Sequence, residues 1–306
     1  MSTFDVDQYI RQKQYRLINS ILVMKDGEIK FESYYNQFNS STRNHIKSIW
    51  KSIIAICIGI CIDQHLIKNV DEPVYHFIPM LDGRIQPSHR MITVRHLLTM
   101  TSGIYWNGGV KYHCPMLGQM MKAKSIIEHI ANIQMTSYPG MSYQYKETDV
   151  ILASEVIHQA SGKNSFEFCN QYLYQPLGIQ SQAWYTSSCG VTYNIGITEE
   201  DQKASDLTAR ELLRIGELFL NRGYYNGRCI LSEQFVKDAI TSSERNEGYG
   251  FFWWLFPNGI YGCSGYGGQE IKVVPAKQLV YVIQATATPR CKSYDELFYK
   301  LLEVYD

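Results

Sequence analysis

Apolar and polar positions along the chain change period several times, and each change predicts an element. Residues 4–16 place apolar side chains at helical spacing, the pattern of an amphipathic helix. The stretch INSILVMKDGEIKFESYY then alternates apolar and polar around Lys25-Asp26-Gly27, which predicts a β-hairpin. Residues 47–62, KSIWKSIIAICIGICI, carry Lys51 in the first turn of a segment that is otherwise oily. After Lys51 and Ser52 come ten residues without charge, apolar on every face, as in a helix sunk into a core and running to about Leu66. From there to about residue 225 the pattern is mainly helical, clearest at 96–100, 125–132, 149–161 and 209–220. After residue 248 the texture changes. GYGFFWWLF, IKVVP and LVYVIQAT read as strands, separated by turns at Pro257-Asn258-Gly259 and Pro275-Ala276-Lys277, and SYDELFYKLLEVY predicts a closing helix.

Strands near both termini with helices between them predict an α/β (α+β) fold. An antiparallel sheet from residues near 18–35 and 248–286 would be flanked by the terminal helices, with a helical lobe inserted in the middle. The expected division gives 1–65 and 226–306 to the sheet domain and 66–225 to the helical one. Pockets favour such boundaries, so a site is expected at the junction.

Charge narrows the partners. Lys plus Arg and Asp plus Glu both number 29 in 306 residues, so nothing points to nucleic acid or an anionic membrane. The eight cysteines form no CxxC pair and several lie in oily runs, as mostly reduced thiols of a cytoplasmic protein would. The N-terminal stretch has no apolar signal-peptide core, and the longest oily run falls short of the roughly 20 residues a membrane helix needs. A cytoplasmic location is therefore expected.

Lys51 is the anomaly. A lysine drawn into such a helix loses hydration unless something holds its charge or removes its proton. Positions three apart share a helix face, so Ser48 and Lys51 are neighbours. A serine hydroxyl needs a base to act as a nucleophile, and a desolvated lysine whose pKa is lowered can serve. Ser48 would also sit among the unpaired N–H donors of the helix N-terminus, favourable for developing negative charge. The alternative is a lysine whose head snorkels to water. Ser-x-x-Lys occurs once, about as often as chance allows, so the surrounding text has to decide.

That text resembles the serine β-lactamase and penicillin-binding-protein superfamily, whose S-x-x-K motif is a signature, and in particular its class C-like branch. LIKNVDEPVYHFIP (66–79), MITVRHLLTMTSGIYW (91–106) and YQYKETDVILASEVIHQASG (143–162) are similar to family segments. So are QPLGIQSQAW (175–184), GYGFFWW (248–254) and GCSGYGGQEIKVVPAKQLVYVIQAT (262–286), all in the family's order. The resemblance implies that Ser48 is acylated, that Lys51 is its base or proton shuttle and that Tyr145, of the Y-x-N element, shares the proton transfers. It implies an oxyanion hole made by the backbone N–H groups of Ser48 and Tyr266. Ser264 and Gly265 would belong to the substrate-binding strand turn, where glycines permit close approach or simply mark a bulge. Trp106 would line the pocket or sit in the core, and His96 would be structural. No metal or other cofactor is implied, and the substrate would be a small molecule or peptide.

Two positions depart from the family pattern. The Y-x-N element is Tyr145-Lys146-Glu147, with glutamate for asparagine, and the K/H-T/S-G element is Cys263-Ser264-Gly265, with a thiol for a cation or imidazole. Both make a pocket less welcoming to anionic β-lactams and D-alanyl peptides. Esterase, amidase or peptidase chemistry is thus expected over efficient β-lactamase activity, on a neutral or amine-bearing substrate. Glu147 would either contact that substrate or form an ion pair with Lys51 or Lys146, and Cys263 would be a pocket thiol open to oxidation. The competing expectation is a sensor or penicillin-binding protein that acylates without turnover.

Overall fold

The computed structural model of the chain describes residues 4–108, 114–195, 206–288 and 290–305. Its hairpin closes where the alternation predicts. β1 (Ile18–Lys25) and β2 (Glu28–Tyr34) are joined by Asp26 and Gly27 at φ 52° and 78°, the two left-handed residues that a type I′ turn requires. The C-terminal part supplies β3 (Trp254–Leu255), β4 (Tyr261–Gly265), β5 (Gln269–Val274) and β6 (Leu279–Ala285). β1 pairs antiparallel with β6, so the two ends of the chain build one antiparallel sheet in the order β2-β1-β6-β5-β4-β3.

One sheet face is covered by α1 (Val6–Lys13) and α10 (Asp295–Val304), over a core that includes Ile10, Ile21, Tyr281, Ile283 and Phe298. The other carries α8 (Ala209–Leu220), opened by a Thr208–Glu211 capping box. α8 falls within the 66–225 span expected for the helical lobe, yet it lies on the sheet. Gly216 permits this: a Cβ there would stand 2.5 Å from Val280 and 2.8 Å from Ile271.

The oily helix is α2 (Ile49–Asp63), and every residue from Ile49 to Cys61 is buried. It is wedged between β4 on one side and α6 (Glu147–Ser161) and α7 (Ser165–Cys169) on the other. Hydrophobicity on all faces is therefore the physical requirement of its place. The helical lobe continues through α3 (Val94–Leu98), α4 (Pro115–Met121), α5 (Ile126–Ala131) and α9 (Glu233–Ala239). Among the described residues no helix is long and apolar enough to cross a membrane.

One expected strand is mostly absent. Of GYGFFWWLF only Trp254–Leu255 pairs in the sheet. Phe252 is left-handed at φ 57°, and its N–H donates to the Leu98 carbonyl at 2.9 Å, while Phe251 donates to Ala239 at 3.0 Å. The backbone that would have formed a ladder is spent on the helical lobe.

His89, in the turn Pro87–Met91, is 1% exposed, and its ring approaches the Ile133 backbone without closing a well-aligned hydrogen bond. Burial pulls its pKa down to about 4. With an unfolded value near 6.5, the stability of the neutral ring is complete above that pH and is lost as pH falls through about 4. Urea denaturation between these limits should show a decline of up to about 3 kcal/mol from this group. His89→Leu should remove that part of the slope. Coincident slopes for the two proteins would contradict the assignment.

Candidate active site

The start of α2 is built by an unusual backbone. Lys47 is left-handed at φ 52°, and its N–H donates to Nδ1 of His45 at 2.9 Å. This delivers Ser48, half-buried, to the head of the helix, where the Lys51 N–H donates to its carbonyl at 3.0 Å. Lys51 is 2% exposed, and its Nζ donates to Ser48 Oγ at 3.2 Å. The same nitrogen lies 2.8 Å from Oε1 and 2.7 Å from Oε2 of Glu147, the first residue of α6. The positive end of a 15-residue helix is a favourable place for that carboxylate.

Tyr145 completes the cluster. The face of its ring lies 4.9 Å from Lys51 Nζ, and its side chain interacts with both Ser48 and Lys51. It stacks on Trp254 at 5.9 Å and meets Tyr249 edge-on at 6.4 Å. Burial raises its pKa, outweighing the neighbouring Lys51, so the phenol keeps its proton at neutral pH. For Lys51 burial is again the largest influence and alone would lower the pKa. Glu147 and Tyr145 together outweigh it, and the value ends above that of a free lysine. Of the two ways a buried lysine can be accommodated, by holding its charge or by removing its proton, this environment favours the first.

The other candidates divide. Glu147 is engaged by Lys51 through both oxygens, the ion-pair alternative. Gly265, at the end of β4, packs against the residues just before Ser48, and a Cβ on it would overlap the Ile46 carbonyl oxygen. Ser264, half-buried, and Tyr266, exposed, flank Gly265 in sequence at this contact. Cys263 is 2% exposed and faces Ser52, and burial pushes its thiol up to about 12, which argues against an oxidation-sensitive pocket thiol. Trp106 is buried in the core with its carbonyl accepting from Gln144 at 2.6 Å, the core alternative. His96 caps α3, accepting from the Thr93 N–H at 3.1 Å.

Sequence reasoning missed a second charged group beneath the first. Lys146, buried, donates to the Ile104 carbonyl at 2.9 Å and to Ser102 Oγ at 3.4 Å, and Ser102 donates to Asp149 Oδ1 at 2.6 Å. These bonds hold the Thr101-Ser102-Gly103 turn against the first turn of α6. The visible signal was Lys146 next to a run of buried residues, the same anomaly that singled out Lys51. The Trp254 stack left no sequence signal beyond aromatic content.

Comparison with known proteins shows which family and fold the chain is similar to. The profile of the family described as Beta-lactamase matches residues 6–306. The chain is 23% identical over 292 residues to the 6-aminohexanoate-dimer hydrolase of Paenarthrobacter ureafaciens, covering 86% of this chain and 71% of that one. It is 23% identical over 193 residues to the esterase EstB of Burkholderia gladioli, covering 57% and 48% respectively. A crystal structure of a putative β-lactamase from Bacteroides dorei superposes with a TM-score of 0.79 at 19% identity, over 99% of both chains.

The burial of Cys263 can be checked directly. Iodoacetamide at about pH 8 should alkylate the exposed Cys189 and Cys229 in the native protein and reach Cys263 only after unfolding. Peptide mapping that finds Cys263 modified as early as Cys189 would contradict its placement.

Proposed function

Because this chain belongs to the β-lactamase family, we propose that it is a serine hydrolase that acts through an acyl-enzyme at Ser48 on neutral or amine-bearing esters or amides. The observation that carries the reading is the 3.2 Å contact from Lys51 Nζ to Ser48 Oγ, with Tyr145 against both residues. A binding protein has no need of this set. Ser48 Oγ bonds to the acyl carbon while its proton passes into the Lys51–Tyr145 cluster. The carbonyl oxygen takes the displaced electron pair and is met by the backbone N–H groups of Ser48 and Tyr266. One such donor is typically worth about 10²–10³ in rate. The proton then goes to the departing oxygen or nitrogen as its bond to carbon breaks, and water repeats the sequence to release the acid.

The substrate class follows from charge. Lys51 is neutralised at contact distance by Glu147, and position 263 holds a buried thiol. No cation of this cluster is left to attract a substrate carboxylate, whereas an ester or amide needs none. The relatives named as an esterase and as a 6-aminohexanoate-dimer hydrolase support hydrolysis over binding.

Intact-protein mass spectrometry after mixing with a neutral p-nitrophenyl ester should show an acyl adduct that forms and decays, and Ser48→Ala should show none. Steady-state rates should favour the neutral ester over one bearing an acyl-chain carboxylate by at least about tenfold, roughly 1.4 kcal/mol of transition-state binding. A stable penicillin adduct without ester turnover would instead mark a sensor or penicillin-binding protein.

A further inference from the structure

We propose that Glu147 is the terminal proton acceptor of a three-part relay running from Ser48 through Lys51 to Glu147, a role that rests on the acyl-enzyme reading above. The geometry is that of a chain: Ser48 Oγ to Lys51 Nζ is 3.2 Å, and Nζ to the two Glu147 oxygens is 2.8 and 2.7 Å. Neither group that touches Ser48 is a base as it stands. Lys51, held above its ordinary pKa by Glu147 and Tyr145, is an ammonium with no lone pair. Tyr145, held above its ordinary pKa by burial, carries its own proton. The carboxylate is the member of the cluster with a lone pair to offer, and it reaches Ser48 through the lysine.

The step balances. As Ser48 Oγ forms its bond to the acyl carbon, its O–H turns toward Nζ in place of the resting Nζ–H···Oγ bond, the hydroxyl proton moves to Nζ as one Nζ proton moves to a Glu147 oxygen, and the carbonyl π pair becomes the oxyanion. Lys51 is an ammonium before and after, Glu147 becomes a carboxylic acid, and the total charge is unchanged. When the tetrahedral species collapses, the proton returns through Lys51 to the leaving oxygen or nitrogen, and Glu147 is again a carboxylate. An asparagine at this position would hydrogen-bond Lys51 but could not receive the proton. The departure at residue 147 thus moves the base from the lysine to the carboxylate behind it.

The groups that face Glu147 are Lys51 on α2, the adjacent Tyr145, Tyr249 of the segment before β3, Cys114 at the head of α4, and Lys146 and Asp149 on its own helix. Burial raises the pKa of Tyr249, Cys114 and Asp149 alike, so Tyr249 and Cys114 keep their protons at neutral pH and offer no lone pair in competition with Glu147.

The test is the pre-steady-state burst of p-nitrophenol. Glu147→Gln should slow acylation by about 10²-fold, with ester KM shifted far less. Glu147→Asp, which keeps a carboxylate at this position, should recover part of the rate. A Gln variant with the rate of the unaltered protein overturns the relay. Should that variant fail to fold, a proton inventory of acylation in the unaltered protein decides. Two protons moving in one step give a bowed dependence on deuterium fraction, and a straight line overturns the relay. A protein that gives neither burst nor Ser48 adduct refutes the acyl-enzyme reading itself. A normal burst with a straight inventory refutes the relay alone.

Discussion

A buried ammonium cannot be left alone, and much of the site follows from that constraint. Lys51 lies in the first turn of α2, at the positive end of the helix dipole, in a place nearly sealed from water. Each of those facts disfavours its charge. Glu147 offsets both at contact distance. Removing one partner of such a pair typically costs about 3–5 kcal/mol, because the other is left buried and uncompensated. The pair therefore fixes how α2 and α6 meet. Both helices present their N-termini there, so the backbone makes the spot electropositive apart from the carboxylate that occupies it. In the proposed mechanism a developing oxyanion at Ser48 would enter a field that suits it.

The second buried lysine does for the loops what the first does for the helices. Lys146 and Glu147 are adjacent in sequence and point to different partners. Lys146 goes to the Ile104 carbonyl and Ser102, and Glu147 goes across to Lys51. Asp149, one turn along α6, accepts from Ser102 and lies close enough to Lys146 for each to moderate the burial cost of the other. Two opposite pairs on one helical turn give a site that is rigid in three directions. On its remaining side β4 closes in because Gly265 has no Cβ to strike the Ile46 carbonyl.

What was legible in the sequence was whatever local chemistry decides. Asp26-Gly27 had to be a tight turn, Thr208 with Glu211 had to open a helix, and the hydrophobic period carried 209–220 to its observed ends. Ser48 and Lys51 were legible as a pair because three residues of helix put them on one face. What failed were inferences about partners distant in sequence. GYGFFWW has the composition of a strand, but Phe252 and Phe251 give their N–H groups to Leu98 and Ala239. Cys263 stood where the resemblance implies a pocket group, yet it packs against Ser52. The protonation of Lys51 was not legible, since burial argues for loss of the proton and only the position of Glu147, 96 residues away, reverses it.

The two departures from the family pattern then reduce to one electrostatic change. The resemblance implies a neutral asparagine at 147 and a cation or imidazole at 263, which with Lys51 would make the buried cluster net positive. Here an anion enters at 147 and a neutral thiol stands at 263, so the cluster is close to neutral. Either change alone would be awkward. A cation at 263 would face Ser52 in the core without the hydration it needs, while an asparagine at 147 would leave Lys51 without an anionic partner. Made together, they preserve a stable interior and alter what it can do. A neutral interior would no longer draw a carboxylate to Ser48, and in the proposed relay its lysine would give up one proton only as it gains another.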